Sequence, residues 1–438
     1  MKQSSVKRWL TYGDCDYNRN LKVKLIPFFT SRLAPFASFA LITIIISKLN
    51  YPELGRFSYL TAMFSLPVVL MSMPLAMIGN LSVEKRLSNV NGKEVFLNGL
   101  PFAASLSIAG LLVSVLLKAL LINSVDSETI KASAVYVSIV PMLIINTYLF
   151  YFVESYVSNV VMAKVKVITA LLSAIIIFCV SFYVKPLMTH HVFYVFAMIE
   201  VILMVLYLSV LIKSFGWMSL SFEYKSVKSV ALNLARIGLP VSLGLAGQKL
   251  VYFLITQRIT GFDMSIVSDL SVLMSCIAIF ALPFGAFAQI HSLYISGNNK
   301  TDHKFFFKKG MIFSSLLISL IILIAWIFYP YLIDLYGADK RLLSTQFFVS
   351  VACFFTTSSI MLLCMSHLRA LQDTFIPQSI AVCILVLGFI PAMWIETSSG
   401  VILYKIILLQ SLFTCLIITF LVFRIWFISV KGEVEGLA

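Results

Sequence analysis

The side chains best placed to do chemistry in this chain of 438 residues are polar groups stranded in apolar text. Gln248 and Lys249 stand side by side in RIGLPVSLGLAGQKLVYFLITQRI, a run that begins at Arg236 and also carries Pro240, Gly244 and Gly247. Arg32 lies about a third of the way along an apolar run that starts near Leu25, and Glu200 lies within another that starts near Val192. A cation at the middle of a bilayer costs roughly 2.5 to 3.5 kcal/mol on the lenient insertion scale, so such a group faces a cavity, meets a partner or reaches back to the interface. Lys249 is too deep to reach the interface easily and reads as cavity-lining, with Gln248 as a hydrogen-bonding neighbour. Arg32 fits an interfacial and a cavity position equally well. Glu200 fits a structural counter-ion, a satisfied polar residue, or a proton or cation site.

Other chemistry finds no support in the residues. There is no glycine-rich loop to cradle a phosphate, no metal-ligand spacing, and no loop large enough for a glycosyl-transfer site. His190 and His191 fall in an outer loop, His303 in an inner loop, and His291 and His367 near inner helix ends, so all five histidines are expected to be solvated or interfacial. Cys179, Cys276, Cys353, Cys364, Cys383 and Cys415 lie in apolar runs and Cys15 in the N-terminal tail, with no disulfide framework. The reading is of a protein that is not an enzyme and holds no cofactor or metal. A membrane-embedded oligosaccharide polymerase would need a large outer loop with clustered polar residues, which the sequence lacks.

The elements that position these residues are membrane helices. The chain is 60% hydrophobic and 12% charged, with mean hydropathy +0.98, far from soluble globular composition. Runs of spanning length start near Leu25, Phe57, Val95, Ala132, Val160, Val192, Ala235, Ile266, Lys309, Leu343, Phe375 and Val401. A bilayer core of about 30 Å needs about 20 apolar residues per helix, so the spacing predicts about twelve transmembrane helices. The net charge of +14 is explained by topology and not by nucleic acid. With the N-terminus inside, about 22 of the 33 Lys and Arg fall on the inner side, among them Lys300, Lys304, Lys308 and Lys309 in the loop GNNKTDHKFFFKK, which meets anionic lipid. The polar stretch up to Lys24 is too long to precede a cleaved signal peptide.

Six helices plus six invite a search for a repeat. Pro27 in LIPFF matches Pro240 in GLPVS, Pro74 in SMPLAMIGN matches Pro283 in ALPFGAFAQ, and Gly99 matches Gly310 after a basic loop; the pairs lie 213, 209 and 211 positions apart. With an even number of helices per half, both halves share one orientation, so the repeat is parallel about an axis along the membrane normal. The expected division is a cytoplasmic tail over 1–24, a first lobe over 25–213, a cytoplasmic linker over 214–234, a second lobe over 235–430 and a tail over 431–438. Pro27 and Pro240, at matched positions in the opening helix of each lobe, are expected to let that helix bend, with Gly244 and Gly247 allowing close backbone approach. Pro35, Pro67, Pro141 and the other prolines within spans read as tolerated kinks.

Three strings of the second half then carry a family likeness. IGLPVSLGLAGQ, ALPFGAFAQ followed by SGNN, and LRALQDTFIP from Leu368 to Pro377 resemble, in order, segments of the multidrug and toxic compound extrusion (MATE) transporters, within the multidrug/oligosaccharidyl-lipid/polysaccharide (MOP) exporter superfamily. Ala370 stands where that family usually has glycine. PELGRFSYLTAMFSL, from Pro52 to Leu66, is similar to Wzx-type oligosaccharide flippases at least as much as to drug exporters. The resemblance implies an all-α polytopic membrane protein, with two six-helix lobes around a cavity that opens alternately to each side. It implies a secondary exporter or antiporter of drugs or metabolites, acting as a monomer and driven by a Na⁺ or H⁺ gradient, while the inner-side charge bias and the helical spans fit an inner membrane with both termini cytoplasmic.

Three departures qualify the likeness. Positions where many ion-coupled members carry an acid are Gln248, Ser358 and Ile42 here, and none can supply a titrating carboxylate. Ser358 is therefore placed with Arg32, Gln248 and Lys249 as cavity-lining, and Glu200 becomes the candidate for coupling. A cavity with two cations and few acids attracts anions, which keeps a flippase for an anionic lipid-linked oligosaccharide as the alternative. A non-transporting membrane scaffold is the remaining reading.

Overall fold

The computed structural model describes residues 17, 21, 25, 26, 29, 33, 36–79, 81, 82, 92–121, 126–157, 159–216, 224–297, 303–395 and 402–435. Arg32 and Pro27, like Cys15 and Pro35, lie outside these residues. The described chain is helical almost throughout: α1 (Phe36–Leu49), α2 (Tyr51–Ala76), α3 (Gly92–Leu121), α4 (Ser127–Phe152, followed by a π-turn at Val153–Val157), α5 (Asn159–Tyr183), α6 (Thr189–Phe215), α7 (Tyr224–Thr260), α8 (Met264–Gly297), α9 (His303–Tyr336) and α10 (Thr345–Ala370). Then follow α11 (Phe375–Ile395), with a π-turn at Ile384–Phe389, and α12 (Ile402–Glu435). Among the described residues 11 helices are long and apolar enough to cross a membrane, and α1 is a shorter apolar helix. Eleven of the twelve expected runs coincide with these spanning helices, and the first, from near Leu25, overlaps α1, with most of its opening outside the described residues. This is an all-α polytopic membrane protein.

Inside the helices, hydroxyl side chains have no water to bond and turn back on their own backbone. Thr43 donates to the Ala40 carbonyl at 2.8 Å, Ser114 to Gly110 at 2.8 Å and Thr169 to Val165 at 2.8 Å. Prolines lie within seven described helices, and α7 remains helical through Pro240.

The chain divides into two compact units, residues 37–271 and residues 1–36 with 272–438. The unit of residues 37–271 holds most of α1, all of α2 to α7 and the opening of α8. Within it α2 packs along α7, a contact that glycine makes feasible: a β-carbon on Gly238 would collide with Pro74 Cα. Gly55 acts likewise near the start of α2, where a β-carbon would collide with the Met264 carbonyl oxygen. The buried centre of this unit holds Phe57, Phe64, Tyr136 and Phe193, with Phe64 stacked on Tyr136 at 5.2 Å. In the other unit α10 packs on α12, and Gly388 of α11 lies against the Phe413 ring.

Candidate functional site

Helix α7 carries the two residues singled out for their polarity. It is 37 residues long, about 55 Å at 1.5 Å per residue, well over the thickness of a bilayer core. Lys249 lies roughly 17 Å before its end at Thr260, which is about half the depth of that core. Ser242, Gly244, Ala246 and Gly247 are buried, while Gln248 and Lys249 are exposed. One side of the helix is thus committed to packing and the other presents an amide and an ammonium group. Pro240 lies near the same level as Gly238 and is half-buried. Ser358, on α10 of the other compact unit, is also half-buried.

Glu200 sits on α6, half-buried, and is held by a residue the sequence did not single out. Asn146 of α4 donates through Nδ2 both to the Glu200 carboxylate at 2.7 Å and to the Glu200 backbone carbonyl at 2.9 Å. The clamp fixes the carboxylate against α4. Asn146 Oδ1 is buried and has no hydrogen-bond partner among the described residues. An acceptor-only carboxylate and a free amide oxygen on neighbouring helices supply oxygen ligands or a proton site in otherwise apolar surroundings.

A polar seam joins the start of α2 to the end of α7 and the start of α8. Tyr51 Oη donates to Asp269 at 2.6 Å, and Ser268 Oγ donates to the Tyr51 carbonyl at 2.7 Å. Ser58 and Ser271 share a hydrogen bond of 2.6 Å, and Tyr59 Oη donates to Gln257 Oε1 at 2.6 Å. Beside it, Glu53 accepts from the Thr189 backbone N–H and hydroxyl, both at 2.7 Å, and pairs with Arg56. The Arg56 guanidinium also donates to Thr129 at 2.9 Å and to Asp126 at 3.1 Å. Asp126 caps α4 through the Thr129 N–H at 2.9 Å. Burial works against its charge, but the Thr129 N–H and hydroxyl and the Arg56 guanidinium outweigh that and hold its carboxyl below the usual range. The signal for this group was present: Tyr51, Glu53 and Arg56 crowd one end of an apolar run, and Asp269 opens another.

The histidines require a correction. His291, His303 and His367, expected to be solvated or interfacial, are 0%, 8% and 0% exposed. Tyr17 Oη and His291 Nδ1 lie 2.8 Å apart, and His291 Nε2 and His367 Nδ1 lie 3.2 Å apart. The His291 and His367 rings stack at 5.5 Å, and Phe307 lies 4.9 Å from His367. The physical reason is Gly310. A β-carbon there would stand 2.6 Å from His291 Cε1, so the missing side chain makes room for the ring between helices. His190 is instead near Glu128, at 3.2 Å, and the Met188 N–H donates to His191 Nδ1 at 3.2 Å, at the start of α6. No three His, Cys, Asp or Glu are grouped to hold a metal among the described residues, and Cys276 and Cys364 are buried as free thiols.

Solved structures share this architecture. The chain is similar to an inward-facing multidrug resistance MATE family transporter of the MOP superfamily, with a TM-score of 0.69 and 10% identity over 92% of this chain and 98% of that one. It is similar to the MATE multidrug transporter DinF-BH, with a TM-score of 0.69 and 15% identity over 93% and 95% of the two chains. A third is a MOP superfamily transporter from Pyrococcus furiosus, whose reverse polarity of the binding pocket suggests a different function. There the TM-score is 0.63 and the identity 11%, over 93% of this chain and 96% of that one. No family model matches the sequence, and no curated protein matches it. The chain has the MATE transporter fold.

Proposed function

We propose that this protein is a secondary active exporter of small amphipathic compounds that works by alternating access, and that it favours anionic substrates. The observation that carries the reading is Lys249. It is a cation at mid-depth of a membrane helix, exposed beside Gln248, in a chain with the fold of MATE transporters. A positive group in a water-excluding passage raises the local concentration of anions, whereas a cationic drug would be repelled. That a transporter of similar fold from Pyrococcus furiosus is described by the reverse polarity of its binding pocket supports a change of substrate charge within this architecture.

In this proposal Lys249 contacts the anionic group and Gln248 hydrogen-bonds beside it, with Ser358 and Arg32 as the other substrate-contacting residues. Pro27 and Pro240 let the opening helices bend, and Gly244 and Gly247 permit close approach of α7 to its neighbour. Glu200, clamped by Asn146, is the candidate site for the driving H⁺ or Na⁺. The protein acts as a monomer in the inner membrane, both termini cytoplasmic, without a cofactor and without catalysis.

The test is flux into proteoliposomes, offering in parallel a cationic dye, an anionic dye and an undecaprenyl-pyrophosphate sugar, each with and without Na⁺ and pH gradients. Gradient-driven movement of the anionic dye is the expected result. Movement of the cationic dye alone would overturn the charge preference. Movement of the lipid sugar alone would replace the exporter by a flippase, and no movement of any of the three would leave the fold without the proposed activity.

A further inference from the structure

Asp269, in the polar seam between α2 and α8, is 1% exposed. It lies roughly 7 Å along α8 from its start at Met264, close to that end of the helix. The Tyr51 hydroxyl meets it at 2.6 Å, within the range of about 2.5 to 2.7 Å for a hydroxyl donating to an ionised oxygen. Tyr51 is held a second time, since Ser268 donates to its carbonyl at 2.7 Å. Consecutive residues of α8 thus grip both the side chain and the backbone of a single residue of α2. Gly55 brings the two backbones into contact one turn further on, and Ser58 bonds to Ser271 one turn beyond that.

We propose that Asp269 is a proton-binding site that clasps the start of α2 to the start of α8 while ionised and releases it when protonated. A carboxylate is an acceptor with about four lone-pair sites, whereas the neutral acid must donate its own proton and loses the charge that makes the Tyr51 bond strong. The proton arrives from the water at the α7–α8 turn, residues 261–263, and returns there; apart from the O–H of the acid no covalent bond forms or breaks. The charge bias along the sequence assigns that turn to the outer side, so external acid would favour opening there.

Charged and titratable side chains on the surrounding elements are Lys48 at the end of α1, Tyr51, Glu53 and Arg56 on α2, Arg258 at the end of α7, and Asp263 in the turn. Glu53 is committed to Arg56 and to Thr189, and Arg56 also to Thr129 and Asp126. A proton on Glu53 would therefore loosen contacts among α2, α4 and α6. A proton on Asp269 acts instead on the bond that closes α2 over α8. The inference rests on the transporter reading for its purpose, because a contact between helices near one membrane face is what alternating access has to make and break.

Its test does not depend on transport. Nitroxide labels at Leu49 and Gly261, both exposed, would be introduced into the cysteine-free full-length chain in nanodiscs, and their separation measured by pulsed EPR at about pH 8 and about pH 4, the lower value being close to the ordinary aspartate value of about 3.9. The expected result is one narrow distance distribution at the higher pH and a second, longer population at the lower. Asp269→Asn should raise the longer population several-fold at both pH values, and Tyr51→Phe should do so at the higher pH. A wild-type distribution that does not change with pH overturns the proposal, as does Asp269→Asn behaving like wild type. If Asp269→Asn does not fold, Asp269→Glu serves in its place: it keeps the charge, so it should keep the pH response with a shifted midpoint, and a response lost altogether overturns the proposal. A chain that opens with pH but moves no substrate would leave the clasp standing and remove the exporter.

Discussion

Gly238 lies directly against Pro74, with no room for a β-carbon between the glycine and the Cα of the proline. The contact joins α2 to α7 within one compact unit, and it gives each residue a purpose that composition alone does not reveal. Proline at position 74 offers a flat ring and no long side chain to clear, and glycine at 238 lets the helices approach to backbone distance. Gly238→Leu should destabilise the protein by roughly 1 to 3 kcal/mol, the usual cost of overpacking, whereas Gly261→Ala, which meets nothing closer than 3.5 Å, should leave thermal unfolding in detergent almost unchanged.

Lys249 can be tested apart from folding. Lys249→Ala should cut flux of an anionic dye about tenfold or more, the effect expected when one charge-assisted contact of about 1.5 to 3 kcal/mol is lost, while Lys249→Arg should keep most of it. Equal flux in wild type and Lys249→Ala, at equal protein per liposome, would remove the lysine from the substrate path.

At Glu200 the informative change is Glu200→Gln, which preserves an acceptor for Asn146 but cannot titrate or carry charge. Downhill substrate exchange should survive in this variant and gradient-driven accumulation should fall to the level of exchange. Accumulation that persists unchanged would exclude Glu200 as the coupling group.

The buried chain Tyr17–His291–His367 should be a stability element of its unit. Tyr17→Phe removes the hydroxyl and leaves His291 Nδ1 without the partner now 2.8 Å away, a loss of roughly 1 to 3 kcal/mol for a buried unsatisfied group. Gly310→Ala should cost a similar amount by displacing the His291 ring. Scanning calorimetry of both variants in the same detergent checks this.

Asp126 predicts an acid limb. Its carboxyl is held below the usual range in the folded protein, so its stabilising effect is present above the unfolded value of about 3.9 and is lost as pH falls through the lower folded value. Asp126→Asn should lower stability at neutral pH and flatten the fall in stability on acidification in that range. Parallel acid titration curves for the two proteins would contradict it.

Much of this architecture was legible in the chain because a bilayer leaves a sequence few choices. Twelve apolar runs could only be helices, and their lengths set the spans. The intramembrane Lys249 and Glu200 stood out for the same reason: a charge in such text needs a cause. What stayed hidden were partners supplied by other helices. Asn146 is an ordinary amide in α4 until Glu200 comes to lie beside it. Asp269 stands at the opening of an apolar run, but nothing local reveals that Tyr51, 218 positions away, closes over it. The histidines misled in the other direction. His291 sits near a helix end, where water is the usual neighbour, but Gly310 on α9 opens a space for its ring that no inspection of the segment around His291 could foresee.

The hydrogen bond between Ser58 and Ser271 spans 213 positions, the same interval that separates Pro27 from Pro240. That interval also carries Tyr51 onto Met264 and Gly55 onto Ser268. The approach of Gly55 to the Met264 carbonyl is then the counterpart of the bond from Ser268 to the Tyr51 carbonyl. One interval therefore exchanges the two sides of the α2–α8 contact, as a two-fold axis exchanges the two sides of an isologous interface. Charge breaks the exchange, because the same interval carries Asp269 back onto Arg56. Where one side of the contact holds a carboxyl group, the other holds a guanidinium group. The shape of the interface is nearly the same from either side, but acid can act on only one of them.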